Sequence, residues 1–261
     1  MIGHRGAAAY APEHTLLSYD LALQQGADAV EQDLHVTKDG ILVCLHDRSL
    51  ARTTNASDRF PDRAPWFVHD FTLDEIKQLD AGSWFGARFA DLRIATFDEV
   101  IDCVGTRGTL LVELKDPDVY AALGIDLLSM FAKAARSNMT LQCFHEPTVR
   151  RAGAMFDRRV PVVLLVEPAE LEEWSNRDRV QGVAEYAAGI GPGKDMLDAR
   201  PDIVQWAHDA GLSVTPWTFR AAAPGRFPTV RDEMEYHLSV LGVDGVITDN
   251  PDEVRRSQSS R

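Results

Sequence analysis

Two pairs of charged residues, each spaced i, i+2, mark where this chain could do chemistry. In "VEQDL" the Glu-x-Asp spacing sends Glu31 and Asp33 to the same face of an extended strand, because strand side chains alternate with period two. In "LVELK" the same arithmetic pairs Glu113 with Lys115. Any one of these carboxylates alone would serve equally as a salt-bridged interior acid. Three aimed into one cavity repel one another unless a cation joins them, and an all-oxygen donor set suits one hard divalent cation, Mg2+ or Ca2+. His4 and His46 each close a short apolar run. Two imidazoles titrating near neutrality can act as general base and general acid across one substrate, although either alone would also suit a hydrogen-bonded structural role. Arg5 offers a planar fork that matches two phosphate oxygens, with Lys115 as a second positive charge.

These residues share a position: they stand at the ends of apolar runs. "DAVEQDL", "ILVCLH", "GTLLVELK", "MTLQCF", "PVVLLV", "SVTPWTF" and "DGVITDN" are continuous rather than alternating in hydrophobicity, which marks strands buried on both faces of a parallel sheet. Amphipathic stretches such as "TLLSYDLALQQGA", "DVYAALGIDLLSMFAKAARS", "DARPDIVQWAHDAG" and "TVRDEMEYHLSVLG" alternate with them, several closed by a glycine suited to a helix C-cap. With "IGH" and "GVAEYAAGI" this makes about eight or nine strands, and the repeat predicts an α/β fold, a closed (β/α)8 TIM barrel. A barrel gathers its strand ends around one mouth, so His4, Arg5, Glu31, Asp33, His46, Asp47, Glu113, Lys115, Gln142, Trp217 and Asp249 are expected to converge there. Trp217 would wall the cavity, stack on substrate or pack in the core.

Two stretches break the repeat. Asp39-Gly40 in "HVTKDGILV" signals a tight turn, hence antiparallel neighbours and a somewhat irregular barrel. Residues 47–95 hold one good short helix, "LDEIKQL", amid turns, aromatics and charge, too long for a simple connection; they read as a cap-like insertion within a single domain spanning 1–261. Its Trp66, Phe67, Trp84 and Phe85 would line a lid or pack a small core of their own. "GIGPGKDML" lacks P-loop spacing and reads as a turn entering a helix, with Lys194 a weaker substrate contact.

The 261 residues carry 27 Lys+Arg against 40 Asp+Glu, a formal net charge of −13, which repels nucleic acid in the absence of a basic run. "EVRRSQSSR" reads as a frayed polar tail. Cys44, Cys103 and Cys143 sit in apolar stretches without metal or redox spacing and read as buried small hydrophobes. No window approaches the ~18 apolar residues that cross a bilayer, so stable membrane insertion is not expected. As written the chain reads as soluble and cytoplasmic; the very short "MIGH" strand leaves room for a natural start upstream of Met1, and a signal segment there would make the protein periplasmic or secreted. Oligomeric state is left open.

"HRGAAAYAPEHT", "GADAVEQDLHVTKDGILVCLHD", "LLVELK", "LQCF", "PWTF" and "GVDGVITDNPDEV" together resemble, in order and spacing, the signatures of the glycerophosphodiester phosphodiesterases. "DRFPDRA", "DFTLDEI", "YAAGIGP" and "AHDAGLSVTPWTFR" look like the periplasmic or secreted bacterial branch. The resemblance implies a TIM-barrel hydrolase that cleaves glycerophosphodiesters, such as glycerophosphocholine or glycerophosphoethanolamine, to glycerol 3-phosphate and an alcohol, through a cyclic phosphate. It implies metal binding by Glu31, Asp33 and Glu113, acid/base catalysis by His4 and His46, and phosphate or substrate contact by Arg5 and Lys115, with Trp217 beside them and Glu13 in support. Residues 47–95 match the family's cap. The alternatives are a lysophospholipase D or sphingomyelinase D type activity on membrane lipids, a non-catalytic barrel that binds glycerophosphodiesters, and a zinc amidohydrolase. The last would want more histidine ligands than His4 and His46 supply.

Overall fold

The computed structural model describes residues 1–253; the tail expected to fray lies almost wholly outside them. Nine strands form one sheet: β1 (Ile2–Gly3), β2 (Ala29–Val36), β3 (Leu42–Cys44), β4 (Thr109–Leu114), β5 (Met139–Cys143), β6 (Val162–Val166), β7 (Gly189–Pro192), β8 (Ser213–Val214) and β9 (Ile247–Thr248). Their order is β8-β7-β6-β5-β4-β2-β1-β9, with parallel neighbours throughout, and β3 pairs antiparallel with β2 off this path. The ring closes where the chain beyond β8 reaches β9: the Phe219 amide donates to the Ile247 carbonyl at 2.9 Å, and Phe219 bridges Thr248 in parallel sense. This is the TIM-barrel α/β fold that the strand pattern predicts.

Helices wrap the ring because their apolar residues recur at helical spacing. In helix Phe97–Val104 the buried Phe97, Val100 and Val104 lie on one stripe, and Thr96 with Glu99 forms a capping box that satisfies its first amides. The antiparallel irregularity falls where Asp39-Gly40 puts it: Gly40 has φ 82°, and Leu34 pairs Cys44 while Val36 pairs Leu42.

Four local expectations need correction. "DVYAALGIDLLSMFAKAARS" is two helices, Pro117–Ala122 and Leu127–Ala134, because Gly124 turns left-handed between them at φ 78°. "GVAEYAAGI" is helical at its start, and only Gly189 onward joins the sheet, so "GIGP" is strand and the helix begins at Lys194. The Lys194 ammonium, expected as a weaker substrate contact, is taken up by the buried Glu233 and the Ala223 carbonyl. Cys44 and Cys143 are buried, but Cys103, near the end of its surface helix, is only partly so.

The insertion builds a separate small core. Leu50, Val68, Phe71, Ile76 and Leu79 are fully buried in it, with Phe60 and Trp66 packed against them. Helix Leu73–Ile76 carries its own capping box from Thr72 and Glu75.

Candidate active site

Strand register assembles the acidic group. Glu31 and Asp33 point to one side of β2; Asp33 is the register partner of Glu113 on β4, and Glu113 that of Gln142 on β5. All four are buried and face the barrel interior, whereas the intervening Gln32 donates to the Leu111 carbonyl. One oxygen from each of Glu31, Asp33 and Glu113 lies within 4.8 Å of the others. They open into a cavity of about 560 Å³ that His4, Arg5, His46, Lys115, Phe144 and Trp217 also line.

The first turn of the chain is bent to serve this cavity. Arg5 adopts φ 52°, and Gly6 at φ 91° passes so close to the helix Leu16–Gln24 that a Cβ there would lie 2.4 Å from Ser18 Oγ. The bend lets the Arg5 amide donate to Glu31 Oε2 at 2.9 Å, while the guanidinium reaches Glu13 Oε1 at 2.9 Å and Asp33 Oδ2 at 3.4 Å. Lys115 lies 2.8 Å from Glu113 Oε1 and 3.7 Å from Asp33 Oδ1.

Two cations therefore face three closely packed carboxylates, and the imbalance shows in their acidity. Burial, then the neighbouring Asp33 charge, raises Glu31 well above the carboxylate range, and the same causes raise Glu113. Burial acts on Asp33 in the same direction, but Lys115, the His14 hydrogen bond and Arg5 hold it well below. Asp33 Oδ2 accepts from His14 Nε2 at 2.9 Å, whereas the buried Oδ1 has no hydrogen-bond partner. A carboxylate hydrogen-bonded at one oxygen and without a hydrogen bond at the other, beside two more acids, fits a hard divalent cation.

Both candidate acid/base histidines are oriented by carboxylates. Asp249 Oδ1 accepts from His4 Nδ1 at 2.6 Å, and Asp47 Oδ1 from His46 Nδ1 at 2.7 Å. A proton on Nδ1 leaves Nε2 as the basic nitrogen. Burial first, then Arg5, pushes His4 down to about 4 despite Asp249; burial also lowers His46. Neutral imidazoles at physiological pH can accept a proton.

The remaining predicted residues take distinct places. Trp217 lines the cavity, its Nε1 donating to the Gly191 carbonyl at 2.8 Å, and meets Phe144 edge to face with centroids 5.6 Å apart. Glu13 is not at the cavity wall; it holds Arg5 from behind, and hydrogen bonds from Arg52 together with the charge of Arg5 bring it to about 2 although burial alone would raise it. The insertion's aromatics do not line the cavity. Trp66 joins the small core, Phe67 stacks on His69, and Trp84, Phe85 and Phe89 form an edge-to-face row. Of Trp66, Phe67, Trp84 and Phe85, only Trp66 packs against the insertion's core; Trp84 is exposed.

Sequence reasoning passed over His14, Phe144, Asp116, Glu167, Arg220 and Arg52. His14 lies inside the Pro-Glu-His-Thr cluster, so its signal was present. Phe144, Asp116 and Glu167 lie just past strands β5, β4 and β6, where barrel topology alone flags them. Arg220 meets Asp249 Oδ2 at 2.8 Å across 29 residues, and Arg52 joins nearby Asp47 to Glu13, 39 residues away; the distant partners leave no local mark.

Comparison with known proteins agrees with this geometry. The model of the "Glycerophosphoryl diester phosphodiesterase family" matches residues 4–253. A glycerophosphodiester phosphodiesterase of Bacillus subtilis is 32% identical, covering 96% of this chain and 83% of that protein. One from Caldanaerobacter subterraneus is 31% identical, covering 97% and 94%. Among solved structures, an Oleispira antarctica phosphodiesterase in complex with the product sn-glycerol-3-phosphate is 26% identical, covers 97% of this chain and 94% of its own, and superposes with a TM-score of 0.77.

Proposed function

Because the chain belongs to the glycerophosphoryl diester phosphodiesterase family and is thus a phosphoric diester hydrolase, we propose that it cleaves glycerophosphodiesters such as glycerophosphocholine and glycerophosphoethanolamine to glycerol 3-phosphate and an alcohol, aided by one divalent cation, Mg2+ or Ca2+. The observation that carries this reading is the convergence of Glu31, Asp33 and Glu113 within 4.8 Å in the cavity that also holds His4, His46, Arg5 and Lys115. The glycerol 3-phosphate bound by the Oleispira relative supports the product assignment.

Held by Glu31, Asp33 and Glu113, the cation would supply Lewis acidity at a non-bridging phosphate oxygen and at the substrate's glycerol hydroxyl. Arg5 and Lys115 hold the phosphate, Arg5 by its planar fork and Lys115 as a point charge, and stabilise the charge that builds on it. One histidine takes the proton of the glycerol 2-hydroxyl as that oxygen attacks phosphorus; the other protonates the departing alcohol. Water then opens the cyclic phosphate with the two histidines exchanging roles. Asp249 and Asp47 keep each ring in the tautomer this exchange needs. Phe144 and Trp217 supply apolar wall to the cavity, and residues 47–95 serve as a cap on the single barrel domain.

Chelated protein assayed with glycerophosphocholine tests this. Mg2+ or Ca2+ should restore release of glycerol 3-phosphate and Zn2+ should not. Full turnover after chelation, or restoration by Zn2+ alone, would overturn the metal assignment, and preference for lysophosphatidylcholine over glycerophosphocholine would move the substrate to membrane lipids.

A further inference from the structure

Arg52 stands outside the cavity, on the insertion, yet it touches both residues that orient machinery inside it. Its Nε donates to Asp47 Oδ2 at 2.6 Å and its Nη2 to Asp47 Oδ1 at 3.1 Å. The other edge of the same guanidinium grips Glu13, Nη1 to Oε2 at 3.0 Å and Nη2 to Oε1 at 2.7 Å. Each carboxylate passes the contact on: Asp47 Oδ1 is the atom that meets His46 Nδ1, and Glu13 Oε1 the atom that meets Arg5 Nη1. One planar group thus joins two bidentate pairs in a continuous chain, Arg5–Glu13–Arg52–Asp47–His46.

The backbone beneath Arg52 is pinned by the insertion's core. Leu50 is fully buried and its amide donates to the Trp66 carbonyl at 2.9 Å; Thr53 and Thr54 are buried, and Thr54 Oγ1 donates to the Leu50 carbonyl at 2.6 Å. The pinned backbone fixes where the side chain starts, and the planar guanidinium is pre-organised to bind two carboxylates edge-on. Lysine has the charge but lacks the planar fork needed to bind two carboxylates edge-on. Removing Arg52 leaves Asp47 and Glu13 as like charges that once shared one counter-ion, and each is then free to abandon its partner.

We infer that Arg52 is a positioning residue through which the insertion sets, at once, the orientation of the acid/base imidazole His46 and of the phosphate-binding guanidinium Arg5. The inference rests on the proposed roles of those two residues. It gives the insertion a part in the chemistry, through the contact of Arg52 with Asp47 and Glu13. Loss of Arg52 should impair proton transfer and phosphate binding together, whereas loss of either carboxylate should impair one.

The test compares Arg52→Ala, Arg52→Lys, Asp47→Asn, Glu13→Gln, the double Asp47→Asn/Glu13→Gln and the triple variant that adds Arg52→Ala to it, by steady-state kinetics on glycerophosphocholine and by calorimetric binding of inorganic phosphate. Asp47→Asn should lower kcat about tenfold with KM little changed, and Glu13→Gln should weaken phosphate and raise KM about tenfold, each a modest fraction of what a general acid or base contributes. Arg52→Ala should do both, near a hundredfold in kcat/KM, and Arg52→Lys should recover only part. Added to the two carboxylate variants, Arg52→Ala should cause no further loss, because the three act as one unit. An exposed ion-pair residue contributes little to stability, so thermal melting of Arg52→Ala should stay close to the parent. Unchanged kcat and phosphate affinity in Arg52→Ala, or a full further loss in the triple variant, overturns the inference. Absence of hydrolysis by the parent protein defeats the functional reading instead, and the phosphate arm then still decides the Arg52–Glu13–Arg5 half.

Discussion

The barrel mouth and the insertion are both rich in charged and aromatic residues, and they use them in opposite ways. At the mouth Glu31, Asp33 and Glu113 are buried against one another with fewer cations than they need. In the insertion the charges stay near the surface and find partners: Arg63 pairs with Glu75, each about a third exposed, and Lys77 reaches Glu99 on the helix Phe97–Val104. The aromatics divide likewise. Phe144 and Trp217 face the cavity, whereas Phe71 and Trp66 fill a core. Composition does not separate chemistry from scaffolding; burial without a matching partner does, because an uncompensated buried charge is costly and persists where a ligand or a reaction uses it.

The widest test of that contrast is Glu31→Gln. It removes one anchor of the acidic group and should abolish metal-dependent turnover in an assay at saturating Mg2+ or Ca2+, while Glu75→Gln on the insertion should leave turnover intact and shift stability by no more than about 1 kcal/mol. Next come His4→Ala and His46→Ala, each expected to lower kcat by ~10²–10⁴ with the melting curve preserved; near-native turnover in either would remove that histidine from the mechanism. A core change in the insertion should read in the other currency. Phe71→Ala should cost about 3–5 kcal/mol in denaturant unfolding, and a smaller loss would mean that the small core collapses around the gap. The mildest is Trp84→Ala: at 41% exposure and outside the cavity, it should change kcat/KM less than twofold and stability by about 0.5 kcal/mol or less. A large kinetic effect there would return the aromatics of the insertion to substrate contact.

Much of this site is legible along the chain. Strand periodicity puts Glu31 with Asp33, continuous apolar runs announce the parallel barrel, and Asp39-Gly40 marks the antiparallel pairing of β2 with β3. The insertion's aromatics are ambiguous for a physical reason: an apolar ring lowers its free energy as much against Phe71 as against a substrate, and local sequence carries no sign of which it meets. Lys194 is ambiguous in the same way, and its partner Glu233 lies 39 residues on.

Side-chain alternation and the βα rhythm are written in the order of residues, so the chain alone determined the barrel, the carboxylate pairing on β2 and the histidines at strand ends. Which charges share a partner is another matter, because Coulomb and hydrogen-bond terms act over a few ångströms of space whatever the separation along the chain. Only the closed fold decided that His4 would meet Asp249 across 245 residues and that Arg52 would stand between Glu13 and Asp47.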